Sequence, residues 1–279
     1  MIKRRLRVYL LFAGFLFLAV VLAYLANFKK TSFSSDTLLW GGFGSYIGGT
    51  AGALLSFVSI VLLYETLTYQ VHSNMTAQFE SGFFELFKLH KEITNRIQGD
   101  VDIYIPGSAT TEITKRADGE KLFELLAIEF NKKFDASLTN IIASFDSPND
   151  YKMRTSITRQ TALDSINKEY DALFEGRESD LGHYFRSLFH LVKYVHSSKV
   201  SDKKKYVDLI QAFLTDGELY LIFYNGIGRY GREKFLPLLD DYSFFENIKS
   251  RGPIFEYHFE LFYPKTYAKF IKKPKPDVL

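Results

Sequence analysis

The chain begins with two long uncharged runs of apolar residues, and helical periodicity governs most of the sequence after them. The first run covers residues 8–26 and reads VYLLFAGFLFLAVVLAYLA. The second covers residues 43–64, and no charged residue occurs between Leu38 and Glu65. About 20 apolar residues in a helix cross the hydrocarbon core of a bilayer. Both runs are therefore predicted as transmembrane helices, within a region of residues 1–70.

The basic prefix MIKRRLR raises the alternative of a cleaved signal peptide. Its apolar core would be longer than usual, and the residues before NFKK make a poor small-x-small cleavage site, so a retained anchor is predicted. The prefix carries four basic residues, against Lys29 and Lys30 between the runs. The positive-inside rule therefore predicts a cytoplasmic N-terminus and a cytoplasmic chain after Tyr64.

Residues 41–52, GGFGSYIGGTAG, hold six glycines and admit two interpretations. Gly42, Gly44 and Gly48 resemble a dinucleotide-binding fingerprint, but that motif requires a preceding buried strand inside a βαβ unit. Here a polar loop, KKTSFSSDTLLW, is predicted before the glycines and an apolar run comes after them. A membrane helix is therefore favoured over a nucleotide site.

Within such a helix, Gly44, Gly48 and Gly52 recur every four residues and form a row of small side chains. Rows of this kind let helix backbones approach closely in lipid. Two outcomes remain open: self-association of the second span, or packing of that span against the first within one molecule. In both cases the row is a packing surface.

Apolar residues keep a helical spacing from Glu65 onward, and residues 71–270 are predicted to form a helical cytoplasmic domain. The tail at residues 271–279 is predicted to be disordered. Apolar spacing of three and four from Leu67 to Ile97 suggests that the second span continues as one long helix, bent at Gly82. Alternating residues on both sides of Pro106-Gly107 predict a small β-hairpin near residues 100–117. The fold class is thus mainly α, with two N-terminal transmembrane helices.

Further helices are predicted from periodicity at residues 121–145, 158–174, 181–195 and 203–214, with short ones at 233–239 and 242–248. Gly176 stands where a helix C-cap is expected. The TDGE sequence at residues 215–218 has the capping-box pattern and opens LYLIFYNG, which is predicted as a central helix.

Composition and net charge limit the ligands and reactions that the chain can be assigned. The 279 residues carry a net charge of +3, which is too small to indicate nucleic-acid binding, and none is expected. The absence of cysteine excludes disulfides and thiolate catalysis. The excess of 27 Phe and 18 Tyr is assigned to the core. No ligand spacing for a metal and no nucleotide or nucleophile motif is present, so no cofactor, metal or catalytic residue is assigned.

His183, Arg186 and His190 share one face of a predicted helix, at i, i+3 and i+7. They are candidates for a catalytic or binding trio. Arg186 and His190 form an R-x-x-x-H pair, which resembles the arginine and histidine pair of helical ribonucleases. Those enzymes have a longer gap between the two residues, so the match fails on spacing. The alternative is a polar edge of a buried helix, with histidines bonded to their neighbours.

Several stretches together resemble the putative phage abortive infection proteins of the AbiC-like type. They are WGGFGSYIGGTAGALLSFVSIVLLYETLTYQ, FFELFKLHKEI, LGHYFRSLFHLVKYV and ELYLIFYNGIGRYGREKFLPLLDDYSFFENI. The recurring positions of that family match His90, His183, Arg186, Asn225 and Gly226 here. The family supplies no catalytic residues, so with His190 these remain candidates without a role.

The resemblance implies a multi-pass protein of the bacterial inner membrane that acts in antiphage defence. Related two-span proteins resemble toxic effectors of retrons, which arrest growth when a viral trigger releases them. The expected partners are the lipid bilayer, a second copy through the second span, and a phage-derived or defence-system trigger protein or nucleoprotein. The expected act is perturbation of the membrane. The alternative is a membrane-tethered enzyme, such as a nuclease, with its site on the His183–His190 helix.

Overall fold

The computed structural model describes residues 2–27, 35–103, 113–142, 159–250 and 253–272. These residues are mainly helical, with one two-stranded sheet, as the sequence predicts. The chain divides into two compact units, residues 1–78 and 79–279.

The elements succeed one another in a simple order. Helices α1 and α2 cover Ile2–Asn27 and Thr37–Arg96, and strands β1 and β2 cover Gln98–Ile103 and Ile113–Asp118. The remaining helices are α3 Gly119–Ile142, α4 Arg159–Phe174, α5 Glu178–Ser197, α6 Lys203–Ala212, α7 Asp216–Ile227, α8 Leu236–Asp241, α9 Pro253–Phe262 and α10 Pro264–Phe270.

The first unit pairs α1 with the beginning of α2. The Tyr24 ring lies 4.8 Å from the Phe43 ring and 5.4 Å from the Tyr46 ring, measured between centroids. Helix α2 begins earlier than the sequence predicts, because the Asp36 carboxylate accepts a hydrogen bond of 2.9 Å from the Leu38 amide and caps the first turn. Residues 37–42 are therefore helical.

Only one of the two predicted spans is supported. Among the described residues, α2 is the one helix long and apolar enough to cross a membrane by length and composition. The described apolar stretch of α1, Leu11–Ala26, is shorter.

The glycine row of α2 does not face α1. A Cβ atom built on Gly44, Gly48 or Gly52 has nothing within 4 Å among the described residues, and all three glycines are exposed. The neighbouring face carries the residues that are shielded in this unit, including Ile47 and Ala51. The row is therefore an open surface of the monomer.

The second unit is built around α7. All residues of α7 from Gly217 to Ile227 are buried, which confirms the predicted central helix. The capping box is also confirmed: the Thr215 hydroxyl accepts from the Glu218 amide, and the Glu218 carboxylate accepts from the Thr215 amide. Gly217 lets α7 approach α3, since a Cβ there would lie 2.7 Å from the Glu124 backbone.

Helix α5 presents its predicted stripe to this core. Leu181, Tyr184, Leu188, Val192 and Val195 are all buried, and the helix extends beyond both predicted limits. Before it, Gly176 adopts a φ of +77° after the end of α4, as its C-cap position predicts.

The last part of α2 belongs to the same core. Phe79 and Phe83 are buried, and the Tyr194 ring stacks on the Phe79 ring at 5.2 Å. The Tyr194 hydroxyl occupies the place that a side chain at Gly82 would fill, so Gly82 serves close packing between α2 and α5. The prediction of one long helix through this region is confirmed.

The small β-hairpin is confirmed. Strands β1 and β2 pair antiparallel, from Gln98 opposite Asp118 to Ile103 opposite Ile113. Val101 is buried on the side that meets α3. Pro106 and Gly107, where the sequence predicts the turn, lie outside the described residues.

The C-terminal region differs most from the prediction. A helix is predicted at residues 242–248, but residues 242–247 form turns, and Ser243 takes a φ of 55°. The sequence pattern does not predict helices α9 and α10. They are short and each begins with proline. Phe259 of α9 and Tyr263, which connects the two helices, are buried against α7, and the Tyr263 hydroxyl donates to the Phe223 carbonyl at 2.7 Å.

The contact at Gly217 generates a stability prediction. Gly217→Ala should lower the free energy of unfolding by about 1–3 kcal/mol, because the added methyl meets α3 backbone that cannot rotate away. Thermal and denaturant unfolding of the full chain in detergent, followed by circular dichroism, measures the change.

The matched control is Gly182→Ala in α5, where the new methyl finds its nearest neighbour at 3.9 Å. That variant should be neutral or more stable by up to about 1 kcal/mol, because alanine favours helix over glycine. Equal stability of the two variants would contradict the packing argument.

Candidate functional site

Helix α5 carries two sets of polar side chains on different faces. His183, Arg186 and His190 lie on its exposed face. Ser187 is half-buried at the border, and Tyr184 points into the core. The predicted trio is thus brought to one surface, and none of its members forms the buried edge that the alternative interpretation requires.

The exposed face is accompanied by aromatic rings. The His190 ring lies 5.3 Å from the Phe189 ring, and the Lys193 ammonium lies 5.8 Å from the centroid of the same ring. Among the described residues, no group of three or more histidine and carboxylate side chains is placed to hold a metal ion. The face offers cationic and aromatic contacts to a partner.

The buried set begins at His90 near the end of α2. Its Nδ1 lies 2.7 Å from Ser187 Oγ, and its ring lies 4.8 Å from the Tyr184 ring. The Ser187 hydroxyl donates to the Tyr184 carbonyl at 2.8 Å. The serine can then accept from Nδ1–H of His90, which leaves Nε2 unprotonated, buried and without a partner among the described residues.

The network continues from α5 into α7. The Tyr184 hydroxyl donates to Glu218 Oε1 at 3.0 Å. Glu218 Oε2 accepts from the Thr215 amide at 2.8 Å and from the Thr215 hydroxyl at 3.0 Å. Burial, followed by the charge of Glu218, raises the pKa of Tyr184 well above its usual value. The phenol therefore stays protonated as a donor to the carboxylate.

This arrangement positions helices rather than performing a reaction. A Ser–His contact of 2.7 Å has the length expected of a nucleophile and its base. However, the Ser187 hydroxyl is engaged by the preceding turn of its own helix. The chain of polar groups instead links α2, α5 and α7, and buried polar groups of this kind specify one arrangement of the helices that carry them.

Asn225 is also a structural element of the interior. Its Nδ2 donates to the Tyr170 hydroxyl at 2.7 Å, which links α7 to α4. The adjacent Gly226 lies under the Tyr263 hydroxyl, where a side chain would collide with that group. The family-matching positions Asn225 and Gly226 are therefore explained by packing.

Two histidines of this unit are held neutral. Burial, with a smaller contribution from the charge of Lys91, lowers the pKa of His90 to about 4. Burial alone lowers the pKa of His258 to about 3, and His258 Nδ1 lies 3.3 Å from the Tyr224 hydroxyl. An imidazole that ionises at such low pH does not carry a charge inside the cell.

Sequence reasoning misses the partners of His90. The pattern assigns Tyr184 to the apolar stripe and identifies Glu218 only as a capping residue. His90 and Ser187 are 97 positions apart in the sequence, so no rule of local spacing predicts their contact. One available signal is the carboxylate at residue 218 ahead of an apolar helix, because a buried carboxylate needs donors.

The neutral His90 generates a pH prediction. Its pKa is about 4 in the folded chain, against an ordinary value near 6.5 when unfolded. Between these values the unfolded chain binds more protons, so stability is complete above pH ~6.5 and falls as the pH drops towards ~4. The loss from this residue amounts to roughly 3 kcal/mol at most. Denaturant unfolding across this pH range measures it.

His90→Gln should flatten this dependence, since glutamine does not titrate, while the contribution of His258 stays in place. His183→Gln is the matched control, because it makes the same exchange at an exposed position of α5 outside the buried network. An unaltered slope in His90→Gln would show that His90 is not held neutral.

Comparison of the chain with curated proteins and with solved structures gives no match. A family model does match part of it, and the matched segment contains α5, α6, α7 and α8, that is, both the exposed face and most of the buried network. Over residues 176–252 the chain matches the putative phage abortive infection protein family, which confirms the family that its sequence resembles.

Proposed function

We propose that this protein is a membrane-anchored antiphage defence protein of the abortive infection type. The observation that carries the proposal is the family match over residues 176–252. The membrane location is supported by the apolar first part of α2, which lacks charge from Thr37 to Tyr64. We also propose that the protein resides in the bacterial inner membrane, with α1 as a second span and both termini in the cytoplasm.

In the proposed mechanism, the second unit, residues 79–279, senses infection, and the protein then arrests growth by perturbing the membrane. Helix α2 supports this mechanism because it carries two different segments. One is the apolar span, and the other contributes Phe83 and His90 to the buried core. A trigger that altered how α5 and α7 hold His90 would act on the helix that also holds the span.

The exposed face of α5 is the proposed contact for that trigger. His183, Arg186 and His190 are accessible, lie within the family-matching segment, and are not used by the core. Cationic side chains beside partly exposed aromatic rings suit an acidic protein surface or a nucleoprotein.

The same face keeps an enzymatic alternative in view. Two exposed imidazoles on one helix face could act as proton donor and acceptor, as in a nuclease. In that case the spans would serve only as a tether, and the chemistry would reside on α5.

Removal of the spans separates these two functions. If the protein acts through the membrane, deletion of residues 1–64 should abolish growth arrest during phage challenge. His183→Ala and His190→Ala should each retain activity in proportion to the amount of folded protein, because no bond-breaking step depends on either imidazole. The measurements are survival, membrane potential and integrity of cellular nucleic acids, normalised to folded protein.

A tethered enzyme has the opposite signature. The soluble fragment would keep activity, while one of the two histidine variants would be inert although folded. Lys168→Ala is a suitable control, since it removes an exposed charge on α4 outside the family-matching segment. A folded, inactive His183→Ala protein beside an active soluble fragment would overturn the membrane mechanism.

Topology gives an independent test of α1 as a span. Reporter fusions at the N-terminus, after Phe33 and at the C-terminus should report cytoplasm, outside and cytoplasm, because basic residues precede the first apolar run. If α2 alone crosses the bilayer, the reporter after Phe33 will lie on the same side as the N-terminus. A C-terminal reporter on the outer side would contradict the cytoplasmic sensing domain.

A further inference from the structure

A stripe of apolar side chains on α2 stays open to solvent beyond the apolar span. Leu67, Val71 and Met75 recur at intervals of four, with exposed fractions of 57%, 52% and 47%. They come after Glu65, the first charged residue beyond the uncharged run, and lie among polar residues of the same helix. The segment is thus an amphipathic helix whose apolar face has no partner among the described residues of the monomer.

The stripe continues backwards into the apolar span on the same face. Moving towards the N-terminus from Leu67 in steps of four or three gives Leu63, Ile60, Ser56, Ala53 and Gly49, all of which are exposed. At 100° per residue these positions stay within one side of the helix. The shielded positions Ile47, Leu54 and Val58 lie on the opposite side.

The resulting seam, defined as Gly49, Ala53, Ser56, Ile60, Leu63, Leu67, Val71 and Met75, changes character along its length. Its first three members are small, which suits close helix contact inside lipid. Its last three members, Leu67, Val71 and Met75, lie beyond the span and are large and apolar, which suits interdigitation between helices in water. Steps of four and three alternate from Gly49 to Leu67, which keeps one face of a helix against another, and two further steps of four lead to Met75.

We propose that the α2 helix of a second copy covers this seam, and that the two helices run parallel from Gly49 to Met75. This inference rests on the proposed membrane location, because copies inserted in the same orientation bring each seam residue opposite itself. Parallel self-pairing needs no complementary partner, since one sequence supplies both surfaces.

Charge and length are compatible with this partner. Glu65 lies on the side of the helix that bears Ile47, so two copies would not bring this carboxylate into the seam. The segment past the span is short for a coiled coil in solution. Anchoring both copies in one membrane raises their effective concentration, and a short seam then suffices.

The absence of cysteine from the chain permits a direct test. Single substitutions Leu67→Cys and Val71→Cys place a thiol in the seam. Thr66→Cys and Ser73→Cys place one on another side of the same exposed segment. Each full-length variant is expressed in bacterial membranes, with and without phage challenge, and oxidised briefly before electrophoresis without reductant. The seam variants should give a crosslinked dimer at severalfold the level of the two controls.

A second substitution tests the apolar contact itself. Val71→Glu in the Leu67→Cys background should remove most of the crosslink, because parallel pairing would oppose two carboxylates in the seam. Gln70→Glu in the same background adds the same charge next to the seam position and should preserve more of the crosslink than Val71→Glu.

The outcomes separate the seam from the proposed function. Equal crosslinking at all four positions would contradict pairing through the seam. The absence of crosslinking at both seam positions, with and without phage, would contradict it as well. Crosslinking that is confined to the two seam positions supports it, whatever the effect of phage. Phage protection is scored separately in the unsubstituted protein, and its absence there overturns the defence role while leaving the seam in place.

Discussion

The second unit, residues 79–279, depends on one buried carboxylate, that of Glu218. A carboxylate removed from water must receive hydrogen bonds, and here the donors are the Thr215 amide and hydroxyl and the Tyr184 hydroxyl. The first two donors fix where α7 begins, and the third fixes where α5 lies beside it. The Tyr184 ring in turn lies against His90, so the end of α2 is placed by the same group. The requirement to satisfy a single charge thus organises three helices.

The interior and the exposed face of α5 therefore serve different purposes. Inside, the histidines are neutral and bonded to hydroxyl groups, and Asn225 and Gly226 are committed to contacts with α4 and with Tyr263. These groups determine the arrangement of the helices. Outside, His183 and His190 contribute nothing to the core and are available to a partner. We therefore expect the functional contacts of the family-matching segment to lie on the exposed face of α5, which the buried network holds in place.

Helix α2 has two parts of different character, an apolar segment long enough to cross a membrane and a segment that belongs to the protein core. Its first part is uncharged and exposes small residues, and its last part buries Phe79, Phe83 and His90. Glycine has a different role in each part. Gly48 leaves an open surface, whereas Gly82 makes room for the Tyr194 hydroxyl. The proposed mechanism requires one element that contacts both the bilayer and the folded core, and it assigns that role to α2.

Local patterns in the sequence determined much of this fold. The Thr215–Glu218 cap, the buried stripe of α5, the C-cap at Gly176 and the hairpin were all predictable, because each depends on residues a few positions apart. The tertiary structure decided the rest. It showed that α9 exists as cover for α7, that Gly217 touches α3, and that His90 meets Ser187 across 97 residues. Such contacts depend on how helices that are distant in sequence pack together and satisfy each other's buried polar groups. The periodicity of apolar residues along the chain carries no information about that packing.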